Sequence, residues 1–372
     1  MACGHWSDDC VRPDRRGERL AALAALLEAD GLDALLVQHL PNIRYLSGFT
    51  GSAGLLLVRR GDPTLVSDFR YAAQAPEEVG TVVRVEIDAT NVWERLRHLL
   101  SETPPERLGF EAHVLPVRDL ERLQELSRSV VVPTSGLVER LRTVKAPEEV
   151  ESIRDAARLA QDALAEMLPS IQVGETEFAI GSRLEAALRR RGSEWHPFPT
   201  IVASGARSAL PHARTSARTL RRGEWLLLDF GAQVDGYCAD LTRTFVVGAQ
   251  ADERQREAYE LVRAAQRRAI LHLRPAMTGR EGDALARDVI AARGFGGAFG
   301  HSLGHGLGLE VHEAPRLAPT ADGVLPEGAV VTVEPGVYFP GWGGVRLEDD
   351  VVLRREGAEC LSDGGTDLIE LR

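Results

Sequence analysis

The sequence is poor in cysteine, in long apolar runs and in clustered basic residues, and each shortage excludes a class of protein. Its 372 residues include only four cysteines, no two of which form a CxxC pair. A disulfide framework is therefore not expected. No apolar run approaches the roughly 20 residues of a membrane span. We expect a protein without a membrane segment that works in a reducing cytoplasm.

The charge balance excludes nucleic acid as a partner. The formal net charge is −11, whereas a phosphate backbone is bound by Lys and Arg side chains clustered on one face. The first ten residues, MACGHWSDDC, contain no apolar segment of the kind found in a signal peptide. Residues 1–14 are polar and are expected to form a disordered leader.

A change of pattern along the chain indicates two domains. In residues 15–142, short strand patterns alternate with helical ones, which predicts an α/β domain with helices on a mixed sheet. Within it, the segment PNIRYLSGFTGSAG from Pro41 is rich in Gly, Ser and Thr and is expected to be a loop. We expect no cluster of metal ligands in this domain. Residues 143–372 are expected to form a second domain that begins with a long helix at Pro147.

The second domain contains a hairpin signal that carries two acids. Asp235-Gly236 lies between two strand-like runs, and both residues of such a turn need positive φ. In that register Asp229 lies opposite Thr242, and Asp240 is its diagonal neighbour on the same face. Carboxylates on such neighbours, roughly 7–8 Å apart at the backbone, can hold two cations about 3.5–4 Å apart. A hairpin with two solvated acids is the open alternative.

Histidines then recur among glycines. The segment HSLGHGLGLEVHE contains His301, His305 and His312, and neutral imidazole is the commonest nitrogen ligand for a metal. A nucleotide-binding loop is excluded because neither GxGxxG nor GxxxxGK is present. Upstream, His212 follows a proline, where a structural role is the usual alternative.

Two more carboxylates lie on strand patterns near the end of the chain. Glu334 is expected at a strand end, since Pro335 stops the ladder. The segment 342–353 is expected to form one strand, with Arg346 and Glu348 on the same face. Buried carboxylates are costly unless they are paired or bound to metal.

Together these elements predict a metal site. Four carboxylates and one imidazole make an oxygen-rich set that suits two divalent ions, Mn²⁺ first, with Zn²⁺, Co²⁺ and Fe²⁺ compatible. The candidate ligands are Asp229, Asp240, His305, Glu334 and Glu348.

Four runs resemble the metallopeptidases of the creatinase or pita-bread fold, and among them the Xaa-Pro branch of aminopeptidase P and prolidase. They are DFGAQVDGYCADLTRT, HSLGHGLGLEVHE, TVEPGVY and GVRLEDD. The resemblance covers the chain from about residue 15 onward, including the runs YLSGFTG and DFRY. It implies the α+β class, with a C-terminal pita-bread domain and an N-terminal α/β creatinase-like domain. It also implies a proline-containing peptide substrate and a homodimer.

The same resemblance implies a role for each site residue. Asp229 would hold one ion alone, Asp240 and Glu348 would bridge both ions, and His305 and Glu334 would complete the other. A water shared by the two cations would attack the scissile carbonyl, and Glu334 would relay its proton. His212 and His312 would act in catalysis by stabilising the oxyanion. The residues expected to contact the peptide are His212, His301, His312, Tyr338 and Arg346.

Three functions fit these motifs. The first is Xaa-Pro aminopeptidase activity, which the SGFTGSAG run favours; the second is Xaa-Pro dipeptidase activity. The third is a catalytically silent peptide-binding module on the same fold. Creatinase shares the fold but lacks the metal ligands, and methionine aminopeptidases usually lack the N-terminal domain.

Overall fold

The computed structural model describes residues 13–362 and 365–372. The expected disordered leader lies outside the described residues, apart from Pro13 and Asp14, and so do Cys3 and Cys10. Two compact units divide the chain, one ending at Arg142 and the other beginning at Thr143. None of the helices in the described ranges combines the length and hydrophobicity of a membrane span.

The first unit alternates helices and strands. Its helices are α1 (Arg16–Ala29), α2 (Leu40–Ser47), α3 (Gln74–Val79), α4 (Val92–Glu102), α5 (Val117–Leu126) and α6 (Leu137–Arg142). Its strands are β1 (Ala34–Val37), β2 (Leu55–Arg59), β3 (Thr64–Asp68), β4 (Arg84–Asp88), β5 (Arg107–Glu111) and β6 (Val130–Thr134).

These strands form one mixed sheet in the order β4-β3-β2-β1-β5-β6. The pairs β1–β5 and β5–β6 are parallel, and β1–β2 is antiparallel. Strand β1 is buried at every position because it lies in the middle of the sheet. The carboxyl ends of β1, β5 and β6 consequently meet at one edge of the sheet.

One segment of this unit differs from its prediction. The expected loop from Pro41 contains helix α2, which has Pro41 in its first turn and Gly48 at its end with φ of 81°. Ile43 and Leu46 of this helix are completely buried. Burial of these apolar side chains stabilises the helix, although Gly, Ser and Thr nearby favour a loop.

The second unit is also a mixture of helices and strands. Its helices are α7 (Pro147–Met167), α8 (Glu177–Arg190), α9 (Glu253–His272) and α10 (Gly279–Ala292). Its first strands are β7 (Ile201–Ser204), β8 (Trp225–Phe230), β9 (Gln233–Val234), β10 (Tyr237–Cys238), β11 (Leu241–Val247), β12 (Gly304–Gly306) and β13 (Glu313–Leu317). The remaining strands are β14 (Val330–Val333), β15 (Gly336–Phe339), β16 (Gly343–Arg346), β17 (Asp349–Arg354), β18 (Gly357–Cys360) and β19 (Glu370–Leu371).

Two larger sheets form the frame of this unit. Their orders are β19-β11-β8-β7 and β13-β12-β14-β17-β18. Helices α7 and α8 share a buried cluster with the first sheet, and α9 and α10 share another with the second. A backbone bridge between Thr242 and Glu348 joins the two sheets. The α+β class and the two-domain architecture predicted from sequence are confirmed.

The expected single strand over 342–353 is wrong. The chain pairs as β16 up to Arg346, leaves the ladder at Leu347 and Glu348, and pairs again as β17 from Asp349. The break lets Glu348 bridge to Thr242 on the other sheet. A continuous alternation of side chains does not reveal such a change of partner, because both halves keep the same period of two.

Candidate metal centre

The β8–β11 hairpin brings two of the predicted acids together. Its register pairs Asp229 with Thr242, as predicted. The turn residues Asp235 and Gly236 have φ of 50° and 79°, which is the left-handed conformation expected of this turn. Asp240 therefore lies diagonally across from Asp229, and both side chains face one cavity.

The histidine segment contributes His305 from a strand that lies unusually close to its neighbour. Strand β12 pairs with both β13 and β14. A side chain at Gly304 would meet the backbone oxygen of Thr332 at 2.0 Å, so only glycine permits this approach. The His305 backbone N–H also donates to the Thr332 hydroxyl at 3.2 Å.

Two strand ends supply the remaining acids. Glu334 follows β14 directly, and its backbone N–H donates to the Leu303 carbonyl at 2.9 Å. Glu348 lies in the break between β16 and β17, where the Thr242 hydroxyl donates to its Oε2 at 2.6 Å. Strand ends thus aim both carboxylates at the hairpin.

The five candidate ligands converge on one cavity of about 1190 Å³. His305 Nε2 lies 3.9 Å from Asp240 Oδ2 and 3.4 Å from Glu334 Oε1. One ligand atom each of Asp240, His305 and Glu348 lies within 4.8 Å of the others. These separations are of the size expected between ligands of a shared cation, whose bonds are about 2.0–2.2 Å long.

The cavity concentrates negative charge. Burial raises the pKa of all four carboxyl groups. Repulsion from neighbouring carboxylates adds to this effect at Asp240 and Glu334, and the pKa of Glu348 rises to about 8 through burial and the charge of Asp229. Bound cations would reverse this effect, because they stabilise the ionised form.

The histidine is in the form that a metal requires. Its Nδ1 lies 3.1 Å from the Gly306 carbonyl, which can only accept, so Nδ1 carries a proton. Burial and the nearby His312 lower the pKa of His305 to about 4, so the ring is neutral near pH 7. The lone pair of Nε2 then faces oxygens of Asp240 and Glu334, so one cation could bind all three side chains.

Two buried oxygens also fit a cation. Asp229 Oδ1 and Asp240 Oδ1 are inaccessible to solvent and have no hydrogen-bond partner among the described residues. The other Asp229 oxygen, Oδ2, is paired with the Arg346 guanidinium. Buried carboxylate oxygens almost always find a donor or a cation, so the donor set present here fits divalent metal ions.

Several supporting residues escaped the sequence analysis. Besides Thr242, Asp350 accepts a hydrogen bond from the Asp240 backbone N–H at 3.1 Å. Arg243 donates to the Glu348 carbonyl at 2.6 Å and to Asp349 Oδ1 at 2.7 Å. The run Leu-Glu-Asp-Asp partly indicated these supporting residues, because three successive acids in a buried strand need partners.

A second group forms the wall of the cavity beside Asp229. His301 Nε2 lies 2.9 Å from the Tyr338 hydroxyl, to which Arg346 also donates at 3.0 Å. His301 Nδ1 donates to the Ser302 carbonyl at 2.8 Å, so Nε2 of a neutral ring accepts from Tyr338. Burial and the Arg346 charge lower the pKa of His301 to about 4, which agrees with a neutral ring.

The other two histidines lie at the solvent-accessible mouth of the cavity. His212 follows a short 3-10 turn after β7, and His312 precedes β13. The rings of His305 and His312 are 4.3 Å apart between centroids. All the predicted site residues except Tyr338 line the cavity directly, and Tyr338 lies behind His301 and Arg346.

Known proteins share this architecture over nearly the whole chain. Residues 151–355 match the family described as "Metallopeptidase family M24", and residues 19–144 match "Creatinase/Prolidase N-terminal domain". An Xaa-Pro dipeptidase of Pyrococcus furiosus is 36% identical over 95% of this chain and 99% of that protein.

Two solved structures are similar throughout. The Xaa-Pro dipeptidase from Bacillus anthracis has a TM-score of 0.93 and 39% identity, covering 96% of this chain and 100% of that one. The X-Pro aminopeptidase from Thermotoga maritima has a TM-score of 0.88 and 34% identity, covering 95% of this chain and 99% of that one.

Proposed function

The chain belongs to metallopeptidase family M24, and from that premise we propose that it is an Xaa-Pro dipeptidase. It would hydrolyse the bond between a first residue and a C-terminal proline. The observation that carries this proposal is the cavity into which four carboxylates and one neutral imidazole project. The relatives support this activity better than the aminopeptidase P activity that the sequence motifs favoured.

Two divalent ions would be held by Asp229, Asp240, His305, Glu334 and Glu348. When bound, such ions supply Lewis acidity and lower the pKa of water, which makes a nucleophile available near neutral pH. Mn²⁺ is the ion that we propose, since carboxylate oxygens make up most of the donor set. We also propose a homodimer in a reducing cytoplasm.

The chain's own residues orient the peptide and move the proton. Glu334 is the carboxylate that would take and return a proton at the scissile bond, because it lines the cavity and its Oε1 lies 3.4 Å from His305 Nε2. His212 and His312, at the mouth, are able to donate to the developing oxyanion. The neutral His301, fixed by Tyr338, offers a ring edge to the proline.

A dipeptide carries a carboxylate directly after its proline, and the cavity provides positive charge for it. Arg214 and Arg316 line the cavity and are exposed to solvent. Arg316 lies opposite His305 in the β12–β13 pair. A guanidinium can bind a carboxylate through two parallel hydrogen bonds, which would favour substrates that end at proline.

The test compares two substrates with the purified full-length protein and added Mn²⁺. We expect Ala-Pro to be cleaved and Arg-Pro-Pro-Gly-Phe to be left intact. Cleavage of the longer peptide would instead establish an aminopeptidase, which the similarity to the Thermotoga maritima protein favours as the second candidate. Failure to cleave either peptide would refute both activities.

Two matched variants distinguish cleavage by this protein from cleavage by a contaminating peptidase. Asp240→Ala removes a candidate ligand and should abolish cleavage, whereas Asp288→Ala changes an exposed acid on α10 and should not. Folding of both is checked by circular dichroism. A folded Asp240→Ala protein with full turnover would contradict the proposed role of Asp240.

A further inference from the structure

The first unit contains a second group of metal-type side chains, which we call the sheet-edge cluster: His39, His113 and Glu139. Its members are far apart in sequence, which is why no cluster was expected in this unit. His39 follows β1, His113 follows β5, and Glu139 lies in α6 after β6. Because these three strands are parallel neighbours, the cluster lies at the carboxyl edge of the sheet, where open α/β sheets usually bind ligands.

The ligand atoms are spaced as a small divalent ion requires. His113 Nε2 lies 3.2 Å and His39 Nδ1 3.8 Å from Glu139 Oε1. One ligand atom of each residue lies within 4.8 Å of the others. Two ligands of a tetrahedral zinc ion, with bonds of about 2.0–2.1 Å, are roughly 3.3 Å apart, so small side-chain rotations would complete the geometry.

Neighbouring side chains fix the cluster in place. Asn42 donates from Nδ2 to Glu139 Oε1 at 2.6 Å, and its own Oδ1 accepts from Arg142 at 2.6 Å. The buried Glu111 accepts from the His39 backbone N–H at 2.7 Å. Partners of this kind orient ligands and typically account for a 10–100-fold difference in metal affinity.

The cluster is enclosed only in part. The Glu139 side chain is 26% exposed to solvent. His113 is partly exposed, which gives an ion a path from solvent and leaves a water position open.

We propose that the sheet-edge cluster binds one Zn²⁺ ion through His39, His113 and Glu139, in addition to the ions of the proposed peptidase centre. Two imidazoles and one carboxylate are a donor set that Zn²⁺ accepts with a water as fourth ligand. Mn²⁺ binds such a nitrogen-rich site more weakly, so the two centres would differ in metal preference. The ion would tie α6 to the two loops that follow β1 and β5.

An ion pair between protonated histidines and Glu139 is the competing explanation. Both explanations bring the same side chains together, because an imidazole N–H can donate to the carboxylate whether the ring is neutral or protonated. A zinc ion would hold the three residues at pH 7.5 and would add one metal ion per chain. The number of zinc ions bound per chain therefore distinguishes the two explanations.

The experiment measures zinc in the full-length, tag-free protein. Wild type, His113→Gln and Glu139→Gln are stripped with chelator, dialysed at pH 7.5 against micromolar Zn²⁺ and analysed for zinc per chain by mass spectrometry. His98→Gln, at an exposed position of α4, is the matched control. Glu139→Gln keeps an oxygen that can accept from Asn42, and His113 is partly exposed, so both variants should fold.

We expect each cluster variant to carry one zinc ion fewer than wild type, and His98→Gln to carry the same number as wild type. Equal zinc content in all four proteins would overturn the proposal. A loss confined to His98→Gln would overturn it equally. Because the result is a difference of one ion, it holds whether or not the second unit proves to be a dipeptidase.

Discussion

At the scale of single residues, the candidate centre is a set of like charges held together by neutral and cationic partners. Arg346 pairs with Asp229, and the Thr242 hydroxyl contacts Glu348. These partners fix the carboxylates without neutralising all of them, since Asp229 Oδ1 and Asp240 Oδ1 have no hydrogen-bond partner among the described residues. The remaining negative charge is what divalent ions would bind.

Thr242→Val should weaken metal binding more than it weakens the fold. The substitution removes the 2.6 Å hydrogen bond to Glu348 Oε2 and the 3.1 Å hydrogen bond from Arg346 Nε, and it nearly keeps the side-chain shape. We expect about 10–100-fold lower Mn²⁺ affinity by isothermal titration, with about 1–2 kcal/mol lost from the free energy of unfolding.

Thr244→Val is the matched control for this variant. Its hydroxyl lies two residues along β11 and bonds only the backbone of Arg346, at 2.9 and 3.2 Å. We expect a similar loss of stability with Mn²⁺ affinity unchanged. Equal affinity in both variants would mean that Thr242 does not position Glu348.

His301 should make the metal-free protein less stable in acid. Its pKa is lowered to about 4 by burial and by Arg346, against about 6.5 in an unfolded chain. Between these values the unfolded chain binds more protons than the folded protein. The contribution of His301 to the free energy of unfolding is therefore fully present above about pH 6.5 and is lost as the pH falls towards 4. The loss attributable to this group is about 2–3 kcal/mol.

Urea unfolding between pH 4 and pH 7.5 measures this contribution. His301→Gln should flatten the pH dependence, whereas His272→Gln, at an exposed position of α9, should leave it as in wild type. The deciding quantity is the change in the free energy of unfolding with pH, because a lost hydrogen bond alone would lower that free energy equally at every pH. Parallel curves for His301→Gln and wild type would refute the assignment.

At the scale of elements, close approach of strands decides where the ligands lie. Strand β12 reaches β14 because Gly304 has no side chain, and His305 is the next residue. The break between β16 and β17 has a comparable effect, since it turns Glu348 towards Thr242. Irregular positions in strands are common next to functional sites for this reason.

Gly304→Ala should push β12 away from β14 and displace His305. The added carbon would lie 2.0 Å from the Thr332 carbonyl oxygen, and overpacking of this kind costs about 1–3 kcal/mol. We expect a lower unfolding midpoint together with reduced Mn²⁺ affinity. Gly297→Ala, where an added carbon meets nothing within 4 Å, should change neither quantity. Unaltered metal affinity in Gly304→Ala would contradict the dependence of His305 on this contact.

At the scale of the whole molecule, stability is expected to depend on metal. The second unit buries four carboxyl groups in one cavity, and burial raises the pKa of each. A ligand that binds only the folded state adds about 2.7 kcal/mol at one hundred times its dissociation constant. Ion binding would therefore offset the cost of enclosing these charges.

Mn²⁺ should raise the thermal midpoint of the metal-free protein. A gain of about 2.7 kcal/mol corresponds to roughly 5–10 °C for a domain of this size. Differential scanning calorimetry with chelator and then with excess Mn²⁺ measures the shift. Asp240→Ala should show a much smaller one, because a candidate ligand is missing. An equal rise in Asp240→Ala and wild type would place the stabilising ion elsewhere.

The sequence predicted the features that depend on residues close together in the chain, and it missed features that depend on contacts between distant residues. The hairpin register was predictable because Asp235 and Gly236 fix a two-residue turn locally. Helix α2 was missed because its stability comes from the burial of Ile43 and Leu46, which local composition does not reveal. The site residues other than Tyr338 line one cavity, but their individual roles stay predictions, as do the domain boundaries at residues 15 and 143.

By itself the sequence determined the α+β class, the family motifs and the acids of the hairpin, because these depend on residue type, spacing and local turn geometry. Only the tertiary structure decided that Thr242 and Asp350 support the candidate ligands, and that His39, His113 and Glu139 meet at one edge of a sheet. Those contacts join residues about 70 to 110 positions apart, except the one between His113 and Glu139. Which strands become neighbours is settled by burial of the whole core, so no local pattern could have specified them.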